Sequence, residues 1–376
     1  MRIAILADAL DFQDAGIHYY LKGLLSAMSG DLQGHEVLLV RPGGADKFPG
    51  FGELLVPGSR WGSPSGLGRV LFQIPALLRK ENVDLVVEPA HFGPFNLPPH
   101  IRRVTVIHDL TPVMFPGYHP LHSVLAHRLL LPRILRKADQ VIVNSDNTGR
   151  DLATYYPLAA HKITKVSPVK DPLFFPRENE ETLSKYGISA PFILTVGTIE
   201  PRKNLGFMLE AFELLREHHA HALQWVIAGG PGWKNRSFYD KLEKSPFRKD
   251  VILTGYVDRQ DLPLLYSCCE AFVYPSHYEG FGLPALEAMA CGAPVFLARS
   301  SSLPEVGGDA AFYFDAAGGP ADLARQLGLL LNDRSLWLLQ RQKSLGQAAS
   351  FSAENACRQF FQAISKAIGN HNETTH

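Results

Sequence analysis

Short apolar runs alternate with stretches of helical period along this chain, and the pattern stops and restarts once. In the first half the runs are Arg2–Ala7, Glu36–Val40, Asp84–Glu88, Val104–His108, Val141–Asn144 and Ile163–Val166. In the second they are Phe192–Val196, Leu223–Ala228, Val251–Thr254, Ala271–Tyr274, Pro294–Ala298 and Ala311–Phe314. Between the first two runs, Ile17, Tyr20, Leu21, Leu24, Leu25 and Met28 recur at helical spacing and make one apolar face. Strands alternating with helices imply parallel sheets covered on both faces. The expected class is therefore α/β, with two Rossmann-like domains of mostly parallel strands.

The stretch Asp171–Glu180, with Pro172 and Pro176, breaks both periods. We expect a first domain over residues 1–170, a connection over 171–187 and a second domain over 188–350, followed by an amphipathic helix at 351–368 and a flexible polar tail at 369–376. Two domains also suit 376 residues, which exceed the usual reach of one hydrophobic core. Open parallel sheets bind ligands beyond the carboxyl ends of their strands, so functional residues are expected just after strands, in a cleft between facing sheets.

Composition removes several function classes. Lys plus Arg and Asp plus Glu both total 37, so the broad positive field needed for nonspecific nucleic-acid binding is missing. Only five apolar residues precede Asp8 after the N-terminal basic residue, too few for a secretory signal, and nowhere do eighteen run together. A cytoplasmic location is expected. Cys268, Cys269, Cys291 and Cys357 fit no zinc spacing and read as reduced, buried thiols. The first strand leads into Asp11–Gly16 with no G-x-G-x-x-G, which disfavours a dehydrogenase.

The strongest chemical signal is the run from Ser276 to Pro294, SHYEGFGLPALEAMACGAP. It follows a strand, passes a glycine-rich turn and enters a helix with Pro284 in the first turn. Glycines allow a ligand to approach the backbone closely, and amides at a helix start favour an anion, so the turn reads as a phosphate cradle. Glu279 precedes the helix and can face the reacting end of a ligand. Glu287, inside the helix, can accept hydrogen bonds from a diol. A second signal, TVGTIEPRKN from Thr195 to Asn204, also follows a strand and is expected to open a helix. Arg202 and Lys203 at a helix start have the wrong sign for the macrodipole, a conflict that a bound diphosphate would resolve.

Together with VILTGYVDRQDLPLLY, GPGWKNR, SSLPEVGGDAAFYFD and the first-half segments VTVIHDLTPVMFP and LPRILRKADQVIVNS, these runs resemble the retaining glycosyltransferases of family 4, which have the GT-B fold. They are most similar to bacterial mannosyltransferases of lipopolysaccharide and polysaccharide assembly. The resemblance implies that the second domain holds a nucleotide diphosphate sugar and the first mainly the acceptor, a glycan or lipid-linked oligosaccharide. It implies that Glu279 contacts the sugar, Glu287 the ribose, and that Gly280, Phe281, Gly282 and Leu283 line sugar and phosphate. Arg202 and Lys203 would hold the diphosphate in the loop that starts at Gly197. Gly255, Tyr256 and Val257 would line the base, with Leu265 near ribose or base. Gly16 would let the first loop approach the phosphates, His108 would reach the sugar, and the terminal helix would return to the first domain.

The chain departs from its relatives in two places: Thr198 stands where many carry arginine, and Ser167-Pro168-Val169-Lys170 stands where many read Pro-Asn-Gly. No D-x-D occurs, so no metal cofactor is expected and the two cations take the neutralising role. Two other functions fit a nucleotide-sugar site, a GT-B epimerase and a noncatalytic binding module; the continuous Glu279–Glu287 run favours the transferase.

Three weaker signals remain. Glu217-His218-His219-Ala220-His221 reads as solvated histidines rather than a metal site. Gly62–Gly66 lacks the central serine of a hydrolase elbow. The segment 120–137 combines leucines with Arg128, Arg133, Arg136 and Lys137 and could touch anionic lipid as a peripheral contact, but such a segment is more often an ordinary packed helix with a basic face, and Pro132 complicates any continuous amphipathic surface.

Overall fold

The computed structural model describes the chain apart from residues 13–15, 45–46, 59–67, 94–95, 178–179, 190, 219–221 and 370–376. The loop before Gly16, the Gly62–Gly66 run, His219 to His221 and nearly all of the polar tail thus lie outside the described residues. Two compact units emerge. One runs from Met1 to Val169 and resumes at Phe351; the other is Lys170–Ser350.

In the first unit β1 (Arg2–Leu6), β2 (Glu36–Arg41), β3 (Gly52–Leu55), β4 (Leu85–Glu88), β5 (Arg102–Ile107), β6 (Gln140–Val143) and β7 (Ile163–Lys165) pair in the order β3-β2-β1-β4-β5-β6-β7. Every pairing is parallel. Strands such as Leu85-Val86-Val87-Glu88 are buried at every residue because helices cover both faces. Sequence reading missed β3. Its Gly-Glu-Leu-Leu is short, half-exposed and at the sheet edge, so it lacks the continuous apolar run of its neighbours.

Helix Gly16–Met28 buries Tyr20, Leu21, Leu24, Leu25 and Met28. The last helix, Ala353–Gly369, packs against it and inserts Phe360, Phe361 and Ile364 among Ile3, Ile5 and Leu25. Helix Leu121–Lys137 runs unbroken through Pro132. A proline in a helix removes one amide donor, and burial of Val124, Leu131, Ile134 and Leu135 on the opposite face holds the helix across the gap.

In the second unit β8 (Phe192–Val196), β9 (Gln224–Ala228), β10 (Val251–Gly255), β11 (Ala271–Tyr274), β12 (Val295–Ala298) and β13 (Ala311–Phe314) form a parallel sheet in the order β10-β9-β8-β11-β12-β13. The chain winds outward in both directions from the β8/β11 pair, which makes that pair the switch point where open α/β sheets bind ligands. Asp171 to Phe174, expected as part of a connection, belong to this unit. Phe174 is fully buried, 5.9 Å from the Tyr266 ring and beneath the Arg259 guanidinium at 4.9 Å.

Candidate functional site

Both chemical signals of the second half meet at the β8/β11 switch point. After β8, Gly197 has φ +144°, and a Cβ there would lie 3.1 Å from Lys203 Cε. Only glycine fits this turn. The chain does not enter a helix at once, as expected from sequence. Pro201–Lys203 form a 3-10 turn, Asn204 takes a left-handed conformation at φ 53°, and the helix starts at Leu205. Left-handed backbone cannot continue a helix, and asparagine tolerates it better than most residues.

After β11, the chain runs through Glu279 to Gly282, at φ +106°, and into helix Leu283–Ala290. A Cβ on Gly282 would lie 2.8 Å from Leu303 Cδ2, so this turn also excludes a side chain. The loop is tied down by Ser300, Ser301 and Ser302, which follow β12. Ser301 Oγ accepts the Glu279 N–H at 2.8 Å, Ser300 Oγ donates to Ser276 O at 2.8 Å, and Ser302 Oγ lies 2.9 Å from Glu279 O and 2.7 Å from Phe281 O.

The two loops lock through charge. Lys203 Nζ donates to Glu279 Oε1 at 2.7 Å and to the Tyr274 hydroxyl at 2.6 Å. One Arg202 terminal nitrogen pairs with Glu279 Oε2 at 2.7 Å and donates to Tyr278 O at 2.8 Å; the other meets Glu200 Oε1 at 2.6 Å. The two adjacent cations thus have internal countercharges in Glu279 and Glu200, beside the bound anion expected from sequence. Burial by itself would raise the Glu279 carboxyl, but Lys203 and Arg202 outweigh it and hold it down at about 2. Burial also pushes Lys203 down, against the pull of Glu279. Two cations and two carboxylates thus form one cluster with no net charge.

Glu287 belongs to a separate network. Burial raises its carboxyl to about 7, opposed by Arg259 at 3.3 Å and the Tyr266 hydroxyl at 3.1 Å. Arg259 also pairs with Asp171 at 2.8 Å. Glu279 and Glu287 therefore differ in protonation as well as in position.

The remaining candidates divide by exposure. Gly255 ends β10 at φ +68°, followed by Tyr256, 68% exposed, and buried Val257. Phe281 is buried, with Gly280 and Leu283 partly open beside it. Leu265 is completely buried, so its side chain packs in the core, and its neighbour Tyr266 is the residue of that helix that reaches Glu287. Gly229 was not singled out from sequence. A Cβ there would stand 2.1 Å from Gly197 O, so the turns after β8 and β9 touch backbone to backbone. Tyr274, Glu200, Arg259, Asp171 and the three serines were also missed. Their shared signal is position, since most of them stand at a strand's carboxyl end or in the loop that follows it.

In the first unit His108 follows β5, while Gly16 begins its helix exposed. Asp109 accepts the Thr111 N–H at 2.9 Å and its hydroxyl at 2.7 Å, which starts helix Thr111–Met114. His108 Nε2 lies 2.7 Å from Pro89 O, an acceptor, so that nitrogen carries the proton. The His108 backbone N–H donates to His91 Nε2 at 2.8 Å, which leaves His91 Nδ1 as the donor to His127 Nε2 at 3.3 Å. His127 Nδ1 ends the relay on Ser123 O at 2.8 Å. Burial holds His91 down at about 3 and lowers His108 as well.

A family model described as Glycosyl transferases group 1 matches residues 178–350, and one described as Glycosyltransferase Family 4 matches residues 15–171. O-antigen chain mannosyltransferase B of Escherichia coli is 35% identical over 281 residues, 73% of this chain and 73% of that protein. Serotype-specific mannosyltransferase WbdA of Escherichia coli is 29% identical over 73% of this chain, a match that covers 34% of the longer relative. Among solved structures, the sucrose-phosphate synthase of Thermosynechococcus elongatus has a TM-score of 0.75 over 98% of this chain and 100% of the other, at 18% identity, which shows a shared fold. With one relative matched at 35% identity over most of its length and family models covering both halves, the chain belongs to the family 4 glycosyltransferases of GT-B fold.

Proposed function

We propose that the chain is a retaining, metal-independent mannosyltransferase that moves mannose from GDP-mannose to a hydroxyl of a glycan or lipid-linked acceptor. The observation that carries this reading is the convergence of Arg202, Lys203 and Glu279 at the β8/β11 switch point, beside the start of helix Leu283–Ala290. Similarity to a mannosyltransferase supports the sugar.

As the bond from sugar to diphosphate breaks, positive charge grows on the sugar and negative charge on the leaving group. Arg202 and Lys203 stabilise that diphosphate, with an effect of roughly 3–4 kcal/mol for one well-aimed donor. Glu279, held ionised by the same cations, accepts hydrogen bonds from sugar hydroxyls, and Glu287 accepts from the ribose diol. The departing phosphate takes the acceptor's proton on the face it leaves, so the sugar keeps its anomeric configuration. No covalent nucleophile is assigned. Acceptor recognition is assigned to the first unit, around His108.

Thermal-shift screening of GDP, UDP and ADP, followed by turnover of the matching sugar nucleotides and NMR of the product anomer, tests the reading. Stabilisation by GDP and an α-linked product from GDP-mannose are expected. Failure to bind any nucleoside diphosphate would overturn it, and conversion of the sugar nucleotide without an acceptor would identify an epimerase instead.

A further inference from the structure

His91, in the loop after β4, has a backbone that packing alone does not explain. Its φ is +67°, a region that residues with a Cβ rarely enter, and its side chain is buried. The other two such residues described in the first unit, Gln33 and Asn82, stand at exposed turns. Strain of this kind persists in a buried residue only where the surroundings hold it there, and it collects at functional sites.

The contacts of the ring show what the strain secures. His91 Nε2 accepts the His108 N–H at 2.8 Å, and the two rings stack 5.6 Å apart at 22°. Pro89 offers its carbonyl to His108 Nε2 at 2.7 Å, so one short loop holds both the main chain and the ring of His108. Tyr20 meets the ring edge-on at 5.0 Å, and Thr148 Oγ1 donates to His108 O at 3.3 Å. With its proton kept on Nε2, His108 carries a bare lone pair on Nδ1. That atom has no partner among the described residues, and His108 is partly open to solvent. A histidine bonded at every polar group but one is aimed.

His91 can accept that N–H only while its own proton sits on Nδ1, and the next residue behind it enforces this. His91 Nδ1 donates to His127 Nε2 at 3.3 Å, and His127 Nδ1 donates to Ser123 O at 2.8 Å, one turn earlier on helix Leu121–Lys137. A carbonyl oxygen can only accept, so the direction of the whole chain of bonds is set from the helix end. If His91 took the other tautomer, its Nε2–H would face the His108 N–H, donor against donor.

We propose that His91, kept in its accepting tautomer by His127, is the positioning residue of His108 and fixes the loop after β5 so that His108 Nδ1 accepts a hydrogen bond from a substrate hydroxyl. The proposal rests on the reading that His108 touches substrate. It does not depend on which base carries the sugar.

A double-mutant cycle tests it, read by steady-state kinetics of GDP-mannose with methyl α-mannoside as a soluble acceptor. His91→Phe should lower kcat on the order of 100-fold, the scale for a misplaced reacting group. The KM for GDP-mannose should stay within about twofold, because the lost contact is not made to the donor's nucleotide. In a His108→Ala background the same change should cost nothing further, since a positioning residue has no effect once its target is gone. His91→Gln sets an amide oxygen where Nε2 stood and should recover most of the loss. His127→Leu and His127→Gln repeat the comparison without touching the strained residue, with calorimetric GDP stoichiometry reporting the folded fraction. Parent-like kcat in His91→Phe beside a depressed His108→Ala would overturn the proposal and leave His108 at the substrate. Parent-like turnover in His108→Ala would remove His108 from the site, and the proposal with it. Equal losses from His91→Phe in both backgrounds, or glutamine variants no better than Phe and Leu, would show a role in folding alone and overturn it too.

Discussion

Lys203 Nζ and Glu279 Oε1 stand 2.7 Å apart, joined across 76 residues of sequence. The lysine follows β8 and the glutamate follows β11, so their contact fastens the two loops of the switch point to each other. The same lysine is the cation assigned to the diphosphate. Protein carboxylate and ligand phosphate must therefore share it.

Glu279→Gln should separate binding from catalysis. With the carboxylate neutralised, Arg202 and Lys203 are freer to meet an anion, so calorimetry should find GDP bound at least as tightly as by the parent. Turnover of GDP-mannose should fall by roughly 100-fold or more, the scale for losing one electrostatic contact in a transition state. Lys203→Ala should weaken both. It should also destabilise the fold, because removing one partner of a buried ion pair costs about 3–5 kcal/mol when nothing else compensates, and less here because Arg202 remains. Parent-like turnover in Glu279→Gln would remove that residue from the site.

With Glu287 at the ribose as proposed, its carboxyl should give donor binding a pH dependence. Its folded value of about 7 lies above the ordinary 4.5, so its contribution to stability is complete below about pH 4.5 and is lost as pH rises through 7. That contribution is roughly 3 kcal/mol. Ribose binding has the opposite sign, since the ionised carboxylate is the better acceptor. Affinity for GDP-mannose should rise between pH 6 and 8 on the order of several-fold. Glu287→Gln should flatten the profile, and Arg259→Ala should move its midpoint upward. A flat profile in the parent protein would refute the assignment.

Histidine NMR should read the relay directly. His91 should carry its proton on Nδ1 and His108 on Nε2, because their partners fix those tautomers. Both should stay neutral as pH falls below the ordinary value of 6.5. The unfolded chain gains protons there that the folded unit refuses, so stability from these residues is present above pH 6.5 and lost toward pH 3. A His91 ring titrating near 6.5 would show that the relay is absent.

Two neighbouring glycines offer a paired test. Gly229→Ala would set a methyl group 2.1 Å from Gly197 O, while Gly230→Ala meets nothing within 4 Å. The first should cost roughly 1–3 kcal/mol of stability and displace the turn after β8. Chemical denaturation should find the second close to the parent, and donor affinity should follow the same order.

The strands were legible because a doubly covered parallel strand must be apolar at nearly every position, as Leu85 to Val87 are. Edge strand β3 obeys no such demand and went unread. The turns after β8 and β11 were legible through their glycines, which answer a local backbone requirement at Gly197 and Gly282. Partnership was not. Nothing in the run from Thr195 to Asn204 announces that Arg202 and Lys203 are neutralised by a carboxylate far along the chain, or that Arg259 stands between Asp171 and Glu287. Such contacts are decided by which strands lie side by side, and strand order is a property of the folded sheet.

The C-terminal helix sets an order of events during synthesis. Phe360, Phe361 and Ile364 complete a core whose other walls, Ile3, Ile5 and Leu25, leave the ribosome first. The second unit lies wholly between them and can close as soon as Ser350 is out. The first unit cannot. It waits with its oldest apolar surface uncovered until that helix arrives, so of the two units the one begun first is finished last.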